Sequence, residues 1–226
     1  MDKPKIVVFT GAGVSAESGI STFRDLNGLW NKHNVHDVAS RDGWAKNRSL
    51  VNEFYNQRRR QLKECKPNAA HYAIAELEKH FEVQIATQNV DSLHEQAGSK
   101  NVLHLHGELL KVRDEVTDET YDWTEDLQDD SVSPNGNGLR PHIVFFQESV
   151  PNYPLAQEMR KGADILIVVG TSLEVYPAAG LLHGFKGITK IFNMDFNELY
   201  SRDTQVIGPA SQTVTKYVDE LIAQYS

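Results

Sequence analysis

The sequence predicts an α/β fold built on a doubly wound parallel sheet. Apolar, β-branched runs of strand length recur along the 226-residue chain, and helical patterns lie between several of them. Strands that alternate with helices in this way pair in parallel, with helices on both faces of the sheet. The predicted strands span residues 6–10, 83–87, 102–105, 143–146, 165–169 and 190–193.

The first strand opens directly into Gly11-Ala12-Gly13 and then into small, helix-compatible residues. This order of strand, glycine turn and helix start can bring backbone N–H groups and a helix dipole to a pyrophosphate. Gly11 allows the tight turn, and Gly13 lets the backbone approach the phosphates. A dehydrogenase would continue to a second strand and an acidic residue. Here a polar loop with Phe23 and Arg24 follows, which does not indicate hydride transfer.

A helix is predicted over residues 47–63, with an apolar stripe that position 58 should continue. The stripe consists of Val51, Phe54, Tyr55 and Leu62. Position 58 is an arginine, so its head either reaches solvent or lines a cavity that holds an anion. The residues leave both alternatives open, although Tyr55 and Arg58 share one face of the helix. Arg59 and Arg60 are expected to face solvent.

Two further helices are indicated by their apolar spacing. One spans residues 68–80, just after Pro67. The other ends the chain and is expected to pack on the body of the protein through a single stripe. That stripe consists of Val214, Tyr217, Val218, Leu221 and Ile222.

Polar residues and glycines collect where the predicted strands end, which is where ligands bind in such sheets. They are Thr10, Gly11, Gln88, Asn89, His106, Gly170, Thr171, Ser172 and Asn193. His106 precedes a glycine and is well placed for acid–base chemistry near neutral pH. His104 alternates with His106 along its strand and is expected to be structural. Asn89 and Asp91 are equally typical of a turn.

Composition limits the class of protein. The hydrophobic fraction of 40% suits one globular domain, and the net charge of −8 argues against a nucleic-acid-binding surface. No apolar run is long enough to cross a bilayer. Because the first strand begins at once, we expect no signal peptide and a cytoplasmic location. The single cysteine, Cys65, excludes an internal disulfide and a cysteine-based zinc site.

Five motifs together resemble the sirtuins, the NAD-dependent protein-lysine deacylases. They are GAGVSAESGISTFRD, TQNVD, HLHGE, VGTS and IFN, in this order. The resemblance extends from residue 5 to about residue 221 and includes the late GPAS. It implies a single catalytic domain over residues 1–226. The domain would have a Rossmann-like sheet and a small module formed by two insertions, at about residues 26–67 and 108–141.

The resemblance also implies NAD as the cofactor and assigns residues to it. Gly11, Ala12, Gly13 and Ser15 would surround the phosphates, and Phe23 and Arg24 would lie near the nicotinamide ribose. Gln88 and Asn89 would hold that ribose, and Asp91 would bind the carboxamide. The phosphate and adenosine part would contact Gly170, Thr171, Ser172, Asn193 and Ala210.

For the reaction, the resemblance makes His106 the catalytic base, with Asn89 and Asp91 beside it. The substrate would be an acylated lysine of a protein, and the products nicotinamide and an O-acyl-ADP-ribose. Val144, Phe145 and Phe146 belong to a segment that would pair with the substrate peptide as an added strand.

Tyr55 and Arg58 resemble the Tyr-x-x-Arg signature of class III sirtuins, which prefer succinyl, malonyl or glutaryl lysine. The surrounding helix is similar to bacterial members of that class, so we expect both acidic-acyl and acetyl removal. An NAD hydrolase or ADP-ribosyltransferase is the alternative enzyme class. A non-catalytic NAD-binding module is a third reading.

One part of the chain departs from the sirtuin pattern. Sirtuins usually carry four zinc-binding cysteines in the second insertion, and residues 111–140 contain none. The stretch holds nine acidic against three basic residues, so its expected structure is a solvated, partly mobile excursion without structural zinc. The module would either hold through packing of Val112, Tyr121, Trp123 and Leu127 or remain looser. The oligomeric state is left open, with a monomer favoured.

Overall fold

The computed structural model describes residues 3–22, 34–173 and 178–225. Its strands are β1 Lys5–Thr10, β2 Glu82–Thr87, β3 Val102–His104, β4 Gly107–Asp114, β5 Thr120–Asp122, β6 Leu139–Ile143, β7 Ile165–Val169, β8 Ile188–Asn193 and β9 Gln205–Ile207. Its α-helices are α1 Gly13–Ala16, α2 Val35–Val38, α3 Arg41–Lys46, α4 Arg48–Glu64, α5 Ala69–His80, α6 Leu93–Gln96, α7 Tyr153–Arg160 and α8 Ala210–Tyr225. Within the described ranges, no helix is long and apolar enough to cross a membrane.

The larger sheet has six parallel strands in the order β3-β2-β1-β7-β8-β9. Chain order reverses at β1, which is the switch point where such sheets bind ligands. Thr10 is in register with both Thr87 and Val169. The residues that follow these three strands therefore lie next to each other at the same edge of the sheet.

Helices cover both faces of this sheet, which confirms the doubly wound fold. Alternate residues of β1 face opposite sides, because side chains alternate along a strand. Ile6 and Val8 pack in one core with the apolar stripes of α5 and α8. Val7 and Phe9 pack in the other core, which includes Ala156 of α7.

A second sheet of three antiparallel strands, in the order β5-β4-β6, corrects two expectations. The strand predicted over residues 143–146 is wrong, because β6 ends at Ile143 and belongs to this second sheet. The stretch over residues 111–140 is not only a solvated excursion. Val112, Leu127 and Leu139 are buried there, with Tyr121 and Trp123 packed against them. This small core contains all four of the residues on which the sequence predicts the packing, together with Leu139.

Helix α4 begins after Asn47, whose side chain accepts a hydrogen bond from the Leu50 backbone N–H. Its stripe packs in a third core, which links the helix to Leu109 and Ile143 of the smaller sheet. Arg60 is exposed as expected, but the expectation for Arg59 is wrong. The Arg59 side chain is fully buried and donates hydrogen bonds to the Leu109 carbonyl and to Asn56. These partners, one from β4 and one from the same helix, replace the water to which an exposed arginine binds.

Candidate functional site

The turns after β1, β2 and β7 are joined by backbone hydrogen bonds. The Gly11 N–H donates to the Val169 carbonyl at 3.0 Å, and the Gln88 N–H donates to Thr10 at 2.9 Å. The Gly13 N–H donates to the Gly170 carbonyl at 2.8 Å. The structure thus brings three of the sequence motifs together at one edge of the sheet.

The glycines of these turns are required by their contact with each other. A Cβ atom built on Gly13 would lie 2.6 Å from the Gly170 Cα, and one on Gly11 would lie 2.8 Å from the Gly170 oxygen. Gly170 itself has a φ of +64°, which side chains rarely adopt. From the sequence, a glycine is expected at position 13 because it lets the backbone approach the phosphates. The structure gives a packing reason that holds without any ligand. Ala12 caps the four-residue helix α1 between these turns.

Ser15 lies at the centre of a buried polar cluster. Its hydroxyl donates to the Asp91 carboxylate at 3.0 Å and accepts from the Asn89 side-chain amide at 3.0 Å. Asp91 also accepts from the Leu93 backbone N–H. Burial raises the pKa of Asp91, and these hydrogen bonds oppose the rise. The structure therefore joins three of the predicted residues in one network rather than leaving Asn89 and Asp91 as isolated turn residues.

Gln88, Thr171 and Asn193 form a second, more open group at the same edge. The Thr171 hydroxyl donates to the Gln88 side-chain oxygen at 2.9 Å, and the Asn193 amide donates to the Thr171 carbonyl at 2.7 Å. Ser172 next to them is exposed. Ala210 is buried in the core beneath α8, so its methyl group contacts protein.

His106 follows β3, and its ring makes one hydrogen bond within the described residues. Its Nδ1 atom lies 3.1 Å from the Gln88 carbonyl oxygen. Because a carbonyl only accepts, Nδ1 carries the proton and Nε2 has a lone pair. Burial lowers the pKa of His106, opposed by the bond to Gln88. The ring is therefore a neutral base at neutral pH.

Several side-chain atoms at this edge make no hydrogen bond within the described residues. They are Gln88 Nε2, Asn89 Oδ1 and His106 Nε2. A donor, an acceptor and a base beside glycine turns suit a polar cofactor such as a nucleotide. Phe23 and Arg24 lie outside the described residues. Among the described residues, no group of three or more histidine, cysteine or carboxylate side chains could hold a metal ion.

Tyr55 and Arg58 of α4 form a mainly buried group with Phe145, which follows β6. The Tyr55 ring lies 6.0 Å from the Phe145 ring, and burial raises the pKa of Tyr55. The Arg58 guanidinium lies 3.5 Å from the centre of the Phe54 ring and donates to the Phe54 carbonyl. Burial lowers the pKa of Arg58 to about 10, opposed by Tyr55. No carboxylate in the described residues forms an ion pair with this cation.

The backbone N–H groups of the predicted peptide-pairing segment are used within the chain. Val144 donates to the His106 carbonyl, Phe145 to the Glu148 carboxylate, and Phe146 to the Ala39 carbonyl. The segment therefore joins His106 to the loops before α4. Phe145 is buried, whereas the side chain of Phe146 is half exposed, at 50%.

Sequence reasoning missed two ionic contacts around this site. His104, expected to be merely structural, contacts the Asn89 carbonyl and the Glu95 carboxylate, each at 2.8 Å. Arg140 forms a two-pronged ion pair with Glu148, with nitrogen–oxygen distances of 2.7 and 3.2 Å. The HLHGE motif contains a signal for the first contact, since it places His104 two residues before His106.

Known proteins resemble this chain over most of its length. A family model described as the Sir2 family matches residues 11–177. An NAD-dependent protein deacylase of Helicobacter pylori is 56% identical over 177 residues, which cover 78% of this chain and 77% of that protein. An NAD-dependent protein deacylase of Salmonella typhimurium is 43% identical over 233 residues, covering 98% of this chain and 85% of that protein.

Solved structures give the same result. A Sir2 homologue in complex with NAD has a TM-score of 0.89 and 36% identity, covering 99% of this chain and 91% of that one. A Sir2 protein bound to a myristoylated histone peptide has a TM-score of 0.75 and 34% identity, covering 98% of this chain and 92% of that one. The sequence, the fold and the arrangement of the strand-end residues agree, and the chain belongs to the Sir2 family.

Proposed function

We propose that this protein is an NAD-dependent deacylase that removes succinyl and malonyl groups, and also acetyl groups, from lysines of proteins. Relatives at 56% and 43% identity carry the name NAD-dependent protein deacylase. A related structure holds a myristoylated histone peptide, which supports acylated lysine as the substrate class. The preference for acidic acyl groups rests on this chain's own residues.

The proposed cofactor site is the edge of the larger sheet. NAD, when bound there, supplies a cationic nicotinamide leaving group and the ribose that receives the acyl group. Asn89 and Asp91 would orient it, since Ser15 holds both side chains in place. The Gln88 Nε2 atom is a further hydrogen-bond donor at the same edge of the sheet. Such fixed polar groups contribute to the rate because they need no reorganisation during the reaction.

His106 is the proposed general base. The Nδ1–H bond to Gln88 fixes the ring so that Nε2 can take a proton from a ribose hydroxyl. Its lowered pKa keeps the ring neutral at the pH of the cell. Val144 donates to the carbonyl of the same residue, so the substrate segment and the base are joined directly.

The observation that carries the acyl preference is Arg58. It is a largely buried cation beside Tyr55, without a carboxylate partner among the described residues. A buried charge that no carboxylate neutralises is costly, and an incoming carboxylate would lower that cost. The acyl carboxylate of succinyl-lysine would pair with Arg58, and the Tyr55 hydroxyl would donate a hydrogen bond to it.

The test is nicotinamide release by the purified protein with NAD and matched peptides. One peptide carries succinyl-lysine, one acetyl-lysine, and a third reaction contains no peptide. We expect release that requires a peptide and is faster with succinyl-lysine. Equal release without peptide would favour the alternative, an NAD hydrolase or ADP-ribosyltransferase, which needs neither Tyr55 nor Arg58. NAD binding without release under any condition would indicate a non-catalytic module.

A further inference from the structure

His104 joins the two ends of the segment that carries two of the proposed active-site residues. Its Nδ1 atom lies 2.8 Å from the Asn89 carbonyl oxygen, and its Nε2 atom lies 2.8 Å from a Glu95 carboxylate oxygen. Asp91 lies between these two residues. The imidazole is 8% exposed, and the His104 carbonyl accepts a hydrogen bond from Asn152. The ring is thus held on both sides and along its backbone.

Both partners of the ring are acceptors. A carbonyl oxygen cannot donate, and an ionised carboxylate cannot donate either. Both ring nitrogens must therefore carry protons for the two contacts to be hydrogen bonds, and His104 is an imidazolium. If the ring loses one proton, the remaining proton goes to the stronger acceptor, the Glu95 carboxylate. The bare Nδ1 lone pair then faces the Asn89 carbonyl, and that contact becomes repulsive.

We propose that His104, held as an imidazolium between Asn89 and Glu95, is a positioning residue for Asn89 and makes NAD turnover fall at alkaline pH. The inference rests on the proposed function, because it concerns the same cofactor site. His104 acts through the Asn89 backbone. The side chain of Asn89 is held separately by Ser15.

The charged groups around His104 favour this state. Glu95 faces it from α6, Asp91 from the preceding loop and Glu108 from β4. The buried His94, also on α6, interacts with the charge of His104 as well. Burial alone would lower the pKa of His104, but the hydrogen bond and charge of Glu95 outweigh burial and raise it. The proton, and with it the Asn89 contact, is lost as the pH rises through that raised value.

The decisive variant is Glu95→Gln, because it changes charge while keeping a hydrogen bond. A glutamine amide can donate to Nε2, so a neutral ring keeps its Nδ1 proton for Asn89. We expect wild-type kcat/KM for NAD to fall on the alkaline side, and this fall to be absent in Glu95→Gln. His104→Phe lacks the contact at every pH, so kcat/KM should be about tenfold lower with no alkaline fall. Glu76→Gln is the matched control, because Glu76 pairs with the exposed His80 on α5.

Nitrogen NMR of the His104 ring tests the inference without turnover. We expect both ring nitrogens to be protonated at pH 6.5, the ordinary histidine pKa, and only Nδ1 to be protonated in Glu95→Gln. A singly protonated wild-type ring at that pH, or the same alkaline fall in Glu95→Gln and wild type, would overturn the proposal. Absence of any deacylation would instead contradict the proposed function, and the NMR result would still decide the state of His104.

Discussion

The Nδ1 atom of His106 is bonded to the carbonyl oxygen of Gln88 at 3.1 Å. The Gln88 carbonyl determines the tautomer of His106, since only a protonated Nδ1 can donate a hydrogen bond to a carbonyl oxygen. Gln88 also contributes its side chain to the group around Thr171, so the residue that orients the base belongs to the proposed cofactor site. The proposed base and the proposed cofactor site therefore share one residue, which directly follows β2.

The first prediction concerns pH. Burial lowers the pKa of His106 below its ordinary value of 6.5, against the bond to Gln88 that raises it. The base is active when neutral, so kcat/KM should be constant near neutral pH and fall as the pH drops through this lowered pKa. The measurement is nicotinamide release with acetyl-lysine peptide across the acid range. A midpoint above 6.5 would contradict this assignment.

The second prediction concerns the replacement of His106 by tyrosine. The change removes the base from a strand end that is not part of a core, so the protein should fold normally. We expect deacylation to fall by at least about a hundredfold, the usual contribution of general base catalysis. Circular dichroism checks the fold, and nicotinamide release checks the reaction. Unchanged turnover in a folded variant would remove His106 from the mechanism.

Much of the larger sheet could be predicted from sequence because its signals are local. The apolar run before Gly11 and the Asn68 cap of α5 specify their elements without distant partners. The smaller sheet has no such signal. In β4, Lys111 and Arg113 flank the buried Val112, and the other buried apolar residue, Leu109, packs in a different core. Its strands form through pairing with β6, which local patterning does not reveal.

The site residues also divide into those that local motifs predict and those whose contacts depend on distant parts of the chain. Asn89 and His106 were predicted from motifs, but the link between Asn89 and Ser15 depends on contacts across 74 residues of chain. His104 illustrates the limit, because its role depends on Glu95 and not on its own strand position. Helical spacing placed Arg58 on an apolar stripe. The same spacing wrongly predicts Arg59 in solvent. Helical spacing does not reveal the Leu109 carbonyl of β4, to which Arg59 donates a hydrogen bond.

The third prediction tests Arg58 as the acyl selector. Arg58→Met keeps the apolar stem and removes the cation. Succinyl-lysine turnover should fall about tenfold to a hundredfold, as expected for a charged hydrogen bond, while acetyl-lysine turnover stays close to wild type. The measurement is kcat/KM for the two peptides.

Arg60→Met is the matched control for Arg58→Met. Arg60 lies on the same helix but is exposed and pairs with Glu53 and Asp126. The ratio of succinyl to acetyl turnover should not change in this variant. Equal loss of both activities in Arg58→Met would contradict the carboxylate pairing.

The fourth prediction concerns the stability of α4. Arg59→Met leaves the Leu109 carbonyl and the Asn56 side chain without their buried donor. The free energy of unfolding should fall by about 1 to 3 kcal/mol, the cost of an unsatisfied buried group. Urea denaturation measures it, and Arg60→Met should again behave like wild type. Equal stability of the two variants would show that Arg59 is not needed for the fold.

Asp114 provides the fifth prediction, on how the smaller sheet is held. Its carboxylate accepts hydrogen bonds from the Ser133 hydroxyl, the Asn137 amide and the backbone N–H groups of Val116 and Thr117. Burial would raise the pKa of Asp114, but these four donors outweigh it and hold the pKa well below its usual value. Asp114→Asn places an amide donor among these donors, so we expect a lower melting temperature at neutral pH.

The pH dependence distinguishes this role from a general loss of packing. A carboxylate with a lowered folded-state pKa stabilises fully above its unfolded value of 3.8, and this stabilisation is lost as the pH falls through the folded value. The difference in melting temperature between wild type and Asp114→Asn should therefore shrink in strong acid. Asp122→Asn, at the exposed end of β5, should melt like wild type at every pH. A chelator should also leave the wild-type melting temperature unchanged, because the sequence predicts no structural zinc and Asp114 accepts four hydrogen bonds in this region.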